Sequence, residues 1–271
     1  MSPFAVSDLI DAAERSGKLN VRTAELAAQL PNTSDEALRH SLDRLRRRGR
    51  IVRAGRGAGH WLVVPLQDSA SGAPPIEAWL HHFMAKSLEE PYYVGFLSAA
   101  EAHGASPYAV MVTQVVVPRP RRPLIVGRHR LLFTVRKDPS AVPTQWHETA
   151  AGRFLVSTPE ATALELAARQ DLAGGPGRVL ETLRALAPSL NFDGLREAFG
   201  TMGDVPAIQR LGAFLNLAEK GSMPAEMIAD WLASKPARAI PLTPGTPSQD
   251  TDHLNPAFKV RVPADFITAN A

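Results

Sequence analysis

The stretch TSDEALRHSLDRLRRRGRIVRAGRGAGHWLVV, residues 33–64, has the pattern of one amphipathic helix followed by two short strands. Thr33 followed by Glu36 predicts a capping box at the start of the helix, and Gly49 predicts its end. The leucines of this segment recur at helical spacing and are Leu38, Leu42 and Leu45. Because they form one apolar stripe that can pack against a core, we expect the opposite face of the helix to be exposed.

The exposed face of this predicted helix is basic. From Arg39 to Arg56 the chain has 8 arginines and 1 acidic residue, Asp43. Clustered positive charge matches the phosphate backbone of DNA, so this face predicts a recognition helix in which Asp43 orients Arg39 or Arg47. The alternative is a solvated helix end, where the arginines of residues 46–48 complement the helix dipole.

A glycine-rich segment follows the helix and lies between two strand patterns. Residues 50–53 and 60–64 predict two short strands, and residues 54–59 predict a wing that joins them. Glycines allow the wing backbone to approach a phosphate closely, and Arg53 and Arg56 can reach a phosphate or the minor groove. The segment is not a nucleotide-binding loop, because no lysine followed by serine or threonine is present and the next element is a strand.

Two further helices are predicted before this segment. Ser7 is expected to cap the first, which ends at Gly17. Thr23 is expected to cap the second, which ends at Pro31 and follows an extended link at residues 20–22. This order of elements predicts a winged helix-turn-helix that binds duplex DNA, although some winged helices contact proteins instead. The predicted domain covers residues 1–66, with DNA contacts at Thr33, Ser34, Arg39, His40, Arg46, Arg47, Arg48, Arg53 and Arg56.

A small, polar, proline-bearing segment at residues 67–75 predicts a linker to a second domain at residues 76–271. The pattern of that domain indicates a mixed sheet up to about residue 156 and mainly helices afterwards, with an irregular tail beyond about residue 232. Thr158 is expected to cap one of the helices. The predicted fold class is therefore α+β, with an N-terminal winged helix-turn-helix and a mixed α/β C-terminal domain that ends in several helices.

The composition is that of a globular protein with two domains. Of the 271 residues, 45% are apolar and 21% are charged. The chain has no uncharged apolar stretch of about 18 residues and no secretory signal, so we expect a cytoplasmic protein without a membrane contact. The absence of cysteine excludes disulfides, thiolate metal sites and a thiol nucleophile.

A second basic segment lies at residues 119–137, which contain seven basic residues and no acidic ones. It covers the connection between two predicted strands, residues 111–117 and 131–135, and continues along the second strand, where alternation places Arg130 and Arg136 on the same face. Two interpretations explain this basic segment equally well. It is a surface that binds nucleic acid or a partner, or it is a solvated sheet edge that charge and proline protect against strand pairing. The basic residues are Arg119, Arg121, Arg122, Arg128, Arg130, Arg136 and Lys137.

No group of residues in the sequence has the spacing of a catalytic or metal site. His81 and His82 diverge by about 100° on a helix, so they cannot easily bind one ion. Residues 174–177 are rich in glycine but lack the lysine of a phosphate loop. We therefore expect no enzyme activity, no metal and no cofactor.

Two later segments complete a resemblance to the AbiEi family, the antitoxins of type IV abortive-infection toxin–antitoxin systems. One is YYVGFLSAAEAHG, residues 92–104, and the other is STPEATALE, residues 157–165. Together with the predicted winged helix they resemble the family's pattern in order and spacing. The likeness covers most of the chain.

The resemblance implies an antitoxin that represses its own operon through the winged helix and opposes a nucleotidyltransferase-like toxin. The operator would be double-stranded DNA with inverted repeats, bound by two copies that would form a dimer on the DNA, and no stable complex with the toxin would be required. The C-terminal domain would carry the antitoxin activity. Two other functions stay open: a solitary regulator whose C-terminal domain senses a ligand, and an enzyme on nucleic acid that the winged helix targets.

Overall fold

The computed structural model describes residues 5–55, 59–107 and 109–270, with Ser87 described by its backbone alone. The chain divides into two compact units. Unit 1 consists of Met1–Tyr92, Val117–Lys137 and Trp146–Leu155, and unit 2 of Tyr93–Val116, Asp138–Gln145 and Val156–Ala271. The structure is of mixed α and β type, as predicted. No helix within the described residues is long and apolar enough to span a membrane.

The first part of unit 1 contains three helices and a small antiparallel sheet. Its elements are α1 (Val6–Arg15), β1 (Asn20–Arg22), α2 (Thr23–Gln29), α3 (Asp35–Arg47), β2 (Ile51–Arg53) and β3 (His60–Val63). The strand order is β1-β3-β2, so that Trp61 of β3 pairs with both Val21 and Arg53. The predicted leucine stripe of α3 is buried in the core of this part, so its basic face is exposed.

The structure corrects the predicted starts of all three helices. α3 is capped by Ser34 and not by Thr33, because the Ser34 hydroxyl accepts the Ala37 N–H at 3.2 Å. Arg22 precedes α2 as its cap, and Thr23 is already the first helical residue. In α1 the first turn closes when the Ala5 N–H donates to the Asp8 carboxylate at 2.9 Å, which replaces the predicted Ser7 cap.

Residues 67–75, predicted to be a linker, lie inside unit 1. A 3-10 helix covers Leu66–Ser71, and the Ser71 carbonyl accepts the Arg128 N–H at 3.2 Å. The His129 Nε2 atom lies 3.0 Å from the Pro74 carbonyl oxygen. A Cβ atom at Gly127 would approach Ala73 Cβ to 2.7 Å, so the segment packs tightly against the turn that contains Gly127.

The rest of unit 1 consists of irregular helical turns and β-hairpins. A 3-10 turn at Ile76–Ala78 and a π-helical turn at His82–Ser87 lie in the segment before Tyr92. The hairpin strands are β6 (Leu124–Val126) and β7 (His129–Val135), which pair antiparallel, and parts of β8 (Thr144–Thr149) and β9 (Gly152–Ser157). β6 lies within the predicted connection between two strands.

Unit 2 begins with a short strand, turn and helix, and continues into a helical body. Its elements are β4 (Tyr93–Val94), α4 (Phe96–Ala102), β5 (Thr113–Val117, up to Val116), α5 (Pro159–Ala168), α6 (Pro176–Leu186), α7 (Phe192–Met202), α8 (Val205–Ala218) and α9 (Met223–Ala233). Val94 pairs antiparallel with Val115 and parallel with Val156, so β4 lies between β5 and β9. Thr158 caps α5 by accepting the Ala161 N–H at 3.3 Å, which confirms that prediction.

The helix α5 is the centre of unit 2. It packs against α4, α6, α7 and α8, and residues 160–167 are all buried. The expected irregular tail is in part wrong, because it contains a three-stranded sheet and a final helix. These elements are β10 (Ile240–Pro241), β11 (His253–Asn255), β12 (Val260–Val262) and α10 (Ala264–Asn270).

Candidate nucleic-acid interface

The outer face of α3 brings together five of the residues predicted to bind DNA. All five side chains are exposed, and those of Arg39 and Arg47 have 73% and 75% of their surface accessible to solvent. The residues are Arg39, His40, Arg46, Arg47 and Arg48. Because the leucines of the helix are buried on the opposite side, these basic groups point away from the core and are accessible to an anionic partner.

Asp43 lies in the middle of this basic face and binds two of its arginines. Its Oδ1 atom accepts from Arg46 Nε at 3.1 Å and Nη2 at 2.8 Å, and its Oδ2 atom is 3.0 Å from Arg47 Nε. The hydrogen bonds from Arg46 hold the pKa of Asp43 below its usual value, so the carboxylate is charged at neutral pH. The prediction that Asp43 orients Arg47 agrees with this geometry. Arg39 instead lies 4.0 Å from Glu36.

Arg50 is bound by two carboxylates of α1 and does not belong to the basic face. Its Nη2 atom is 2.7 Å from Asp11 Oδ1 and 2.8 Å from Glu14 Oε2. Hydrogen bonding to Asp11 is the largest cause of the raised pKa of Arg50. Arg50 therefore joins the end of the α3 segment to α1, a role that the sequence does not reveal because both partners lie more than 35 residues upstream.

The predicted wing is held at its base by a set of contacts around Thr23. The Thr23 hydroxyl accepts from Trp61 Nε1 at 3.0 Å and donates to the Gly59 carbonyl at 3.3 Å, while the Thr23 N–H donates to that carbonyl at 2.8 Å. The Arg53 guanidinium lies 5.0 Å from the centre of the Trp61 ring, a cation–π distance. Arg56, the second predicted wing contact, is outside the described residues.

A groove runs along α3 between α2 and β3 and has a volume of about 1040 Å³. Arg39 and Asp43 line one side, and Arg53 and Trp61 line the other. At the start of α3, Ser34 is exposed, whereas Thr33 is half-buried and donates its N–H to the Leu30 carbonyl at 2.9 Å. The groove therefore lies between the basic helix and the base of the wing.

The second basic segment is exposed at most of its positions. Arg121 differs, because it forms an ion pair with Glu90 at 2.8 Å, and Arg136 is half-buried, with its N–H bonded to the Val117 carbonyl at 3.0 Å. Arg130 is opposite Ile125 in the register of β6 and β7, and the Ile125 side chain is also exposed. The exposed basic residues are Arg119, Arg122, Arg128, Arg130 and Lys137.

Unit 2 contains a buried polar cluster around Glu165 of α5. Glu165 is only 3% exposed, and its carboxylate accepts from the Tyr93 hydroxyl, from the Phe96 N–H at 3.4 Å and from the Ser157 hydroxyl at 3.5 Å. Ser157 and Thr162 share a further hydrogen bond of 2.7 Å. The cluster joins both segments that resemble the AbiEi pattern, residues 92–104 and 157–165.

The turn between β4 and α4 is shaped by this carboxylate. Phe96 has φ of +54°, a left-handed conformation that side chains other than glycine seldom adopt. Gly95 precedes it, and a Cβ atom there would lie 2.8 Å from Glu165 Oε2. The Leu97 N–H donates to Gln114 Oε1 at 2.9 Å, so side chains of two other elements fix the turn. Among the described residues no group of three or more acidic or histidine side chains could hold a metal ion.

Residues 93–217 match the family model for the AbiEi antitoxin C-terminal domain, and this range includes the Glu165 cluster. No curated protein matches the chain. Among solved structures, the RV2827C protein from Mycobacterium tuberculosis is similar in fold, with a TM-score of 0.63 and 16% sequence identity. The similarity covers 94% of this chain and 90% of the mycobacterial chain.

Proposed function

We propose that the chain, whose residues 93–217 match the AbiEi antitoxin C-terminal domain, is a type IV antitoxin of the AbiEi family that represses its own operon by binding DNA. The family is one of antitoxins and not of enzymes. The proposal assigns DNA binding to residues 1–66 and the antitoxin activity to the domain that matches the family model.

The DNA-binding part of the proposal rests on the outer face of α3. The order α1-β1-α2-α3-β2-β3, with the strands arranged β1-β3-β2, is compatible with a winged helix-turn-helix whose recognition helix is α3. The observation that carries the proposal is the set of exposed basic side chains on this helix, opposite a buried leucine stripe. Arg53 at the base of the wing would add a contact to a phosphate or to the minor groove.

The partners follow from the family and the charge. The operator would be double-stranded DNA with inverted repeats, bound by two copies of the chain in the cytoplasm. The opponent would be a nucleotidyltransferase-like toxin, with no stable complex between the two proteins. We also include the second basic segment as an additional phosphate contact, because Arg119, Arg122, Arg128 and Arg130 are exposed and have no acidic residue between them.

A genetic experiment tests both halves of the proposal. The chain is expressed with the toxin encoded beside it, and its own promoter drives a reporter. We expect Arg46→Ala with Arg47→Ala to relieve repression and to leave protection from the toxin intact. The matched control is Arg169→Ala with Arg196→Ala, which removes two exposed arginines from unit 2 and should leave repression unchanged. Full repression by the α3 variant would contradict the DNA-binding half, and failure of the wild-type chain to protect cells would contradict the antitoxin half.

A further inference from the structure

Asp43 is the one acidic residue between Arg39 and Arg53, and the other carboxylates of α3, Asp35 and Glu36, lie in its first turn. The exposure of Asp43 is 39%, and it is bound on both oxygens by arginines of its own helix. Ion pairs between exposed residues three and four positions apart contribute little to helix stability. The fold of α3 therefore does not depend on Asp43, since the buried leucines and the Ser34 cap account for it.

The geometry of the three side chains limits what the arginines can do. Arg46 donates two hydrogen bonds to one oxygen of Asp43, and Arg47 lies on the other oxygen. Both guanidinium groups thereby lie against Asp43 on the outer face of the helix, and each has further N–H groups beyond those in these contacts. An arginine that is already oriented loses less conformational freedom when it forms paired hydrogen bonds with a guanine edge.

The charge of Asp43 acts differently on the two kinds of DNA contact. Non-specific binding depends on the sum of the positive charge near the phosphates, and one carboxylate in the centre of the basic face reduces that sum. Binding to a base edge depends on the direction of the hydrogen bonds, which the carboxylate fixes. A carboxylate at this position therefore weakens non-specific binding and preserves specific binding.

We propose that Asp43 is a specificity-determining residue, which lowers the affinity of α3 for non-specific DNA and orients Arg46 and Arg47 for base recognition. This inference rests on the proposed DNA-binding function. It assigns to Asp43 an effect on the ratio of specific to non-specific affinity, which combines its charge with its hydrogen bonds to Arg46 and Arg47.

The test compares Asp43→Asn with the wild-type chain on two DNA duplexes of equal length, the upstream DNA of its own operon and a shuffled version. Asparagine keeps the size of the side chain, but its amide nitrogen cannot accept a hydrogen bond from an arginine. The variant therefore loses the contact with either Arg46 or Arg47. We expect non-specific affinity to rise about threefold or more and the specificity ratio to fall about tenfold. Asp43→Glu, which retains the charge, should keep non-specific affinity low.

The matched control is Asp171→Asn, which removes an exposed carboxylate that accepts two hydrogen bonds at 2.9 Å from Arg169 in unit 2. Its specificity ratio should equal that of the wild-type chain. An unchanged ratio in a folded Asp43→Asn variant overturns the inference while the proposed function stands. A wild-type chain that binds neither duplex overturns both.

Discussion

Asp43 on α3 and Glu165 on α5 are both carboxylates that accept several hydrogen bonds, and they differ in where their donors come from. The donors of Asp43 are charged side chains of its own helix, and its own side chain is 39% exposed. Glu165 is 3% exposed and accepts from neutral groups of separate elements, Tyr93 of β4 and the backbone of Phe96. Exposed local donors leave a surface that can exchange partners, whereas buried distant donors fix a fold.

The largest effect is expected when the buried carboxylate is removed. Glu165→Ala removes the carboxylate that accepts from the Tyr93 hydroxyl and the Phe96 N–H, and it opens a cavity. The free energy of unfolding should therefore fall by about 3 kcal/mol or more. Urea unfolding of the full chain measures this loss. The control is Glu181→Ala on the exposed side of α6, which should change the free energy of unfolding by less than about 0.5 kcal/mol. Equal losses of unfolding free energy in the two variants would show that Glu165 stabilises the fold no more than an exposed carboxylate does.

A second expected effect concerns the space beside Glu165. Gly95→Ala would place a methyl group 2.8 Å from Glu165 Oε2 and 3.2 Å from Val116, which should lower the free energy of unfolding by about 1–3 kcal/mol. Gly200→Ala, in the interior of α7 with nothing within 4 Å, should instead stabilise the protein by about 0.5–1 kcal/mol. Thermal unfolding of both variants gives the sign of each change, and a neutral Gly95→Ala would show that the turn has room to spare.

A third effect is expected at the base of the predicted wing, where Gly59 can be compared with Gly49. Gly59 and Gly49 have nearly equal φ angles of +72° and +70°, but a Cβ atom at Gly59 would overlap the Thr23 hydroxyl, whereas one at Gly49 would have nothing within 4 Å. Replacement by alanine should cost about 1 kcal/mol at Gly49 from backbone strain alone, and about 2 kcal/mol at Gly59. Only Gly59→Ala should also weaken DNA binding. Identical costs would mean that Thr23 moves aside freely.

The smallest expected effect comes from the second basic segment. Arg128→Ala with Arg130→Ala should reduce affinity for operator DNA severalfold and the slope of log K against log [salt] by at most about 2, because each lost phosphate contact contributes about 0.9. Arg121→Ala should not change the slope, since Arg121 is bound to Glu90. Binding isotherms at several salt concentrations would decide whether the segment contacts phosphate or only protects a sheet edge.

The sequence predicts local features of this protein better than distant ones. The leucine stripe of α3 and the Thr158 cap depend on neighbours within four to seven positions, and both occur as predicted. The start of α3 differs from the prediction by one residue. Thr33 and Ser34 are equally able to cap a helix, and only the helix register decides between them.

Features that join distant parts of the chain could not be predicted. In the sequence Arg50 is one of many basic residues, and only the fold shows that it forms ion pairs with Asp11 and Glu14. The strained turn at Phe96 depends on Glu165, which lies 69 residues later, and no local pattern marks either residue. The strands of the C-terminal tail pair across a proline-rich segment that has weak β propensity, so their partners and not their composition determine them.

The salt dependence of operator binding tests the central claim, that the outer face of α3 contacts DNA, most directly. Fluorescence anisotropy with a labelled upstream duplex gives the slope of log K against log [salt] for the wild-type chain and for Arg46→Ala with Arg47→Ala. We predict that the variant binds more weakly and that its slope is shallower by up to about 2, since the basic face loses two positive charges near the phosphates in addition to any base contacts of the same side chains. An unchanged affinity and an unchanged slope would contradict the assignment of α3 as the recognition helix.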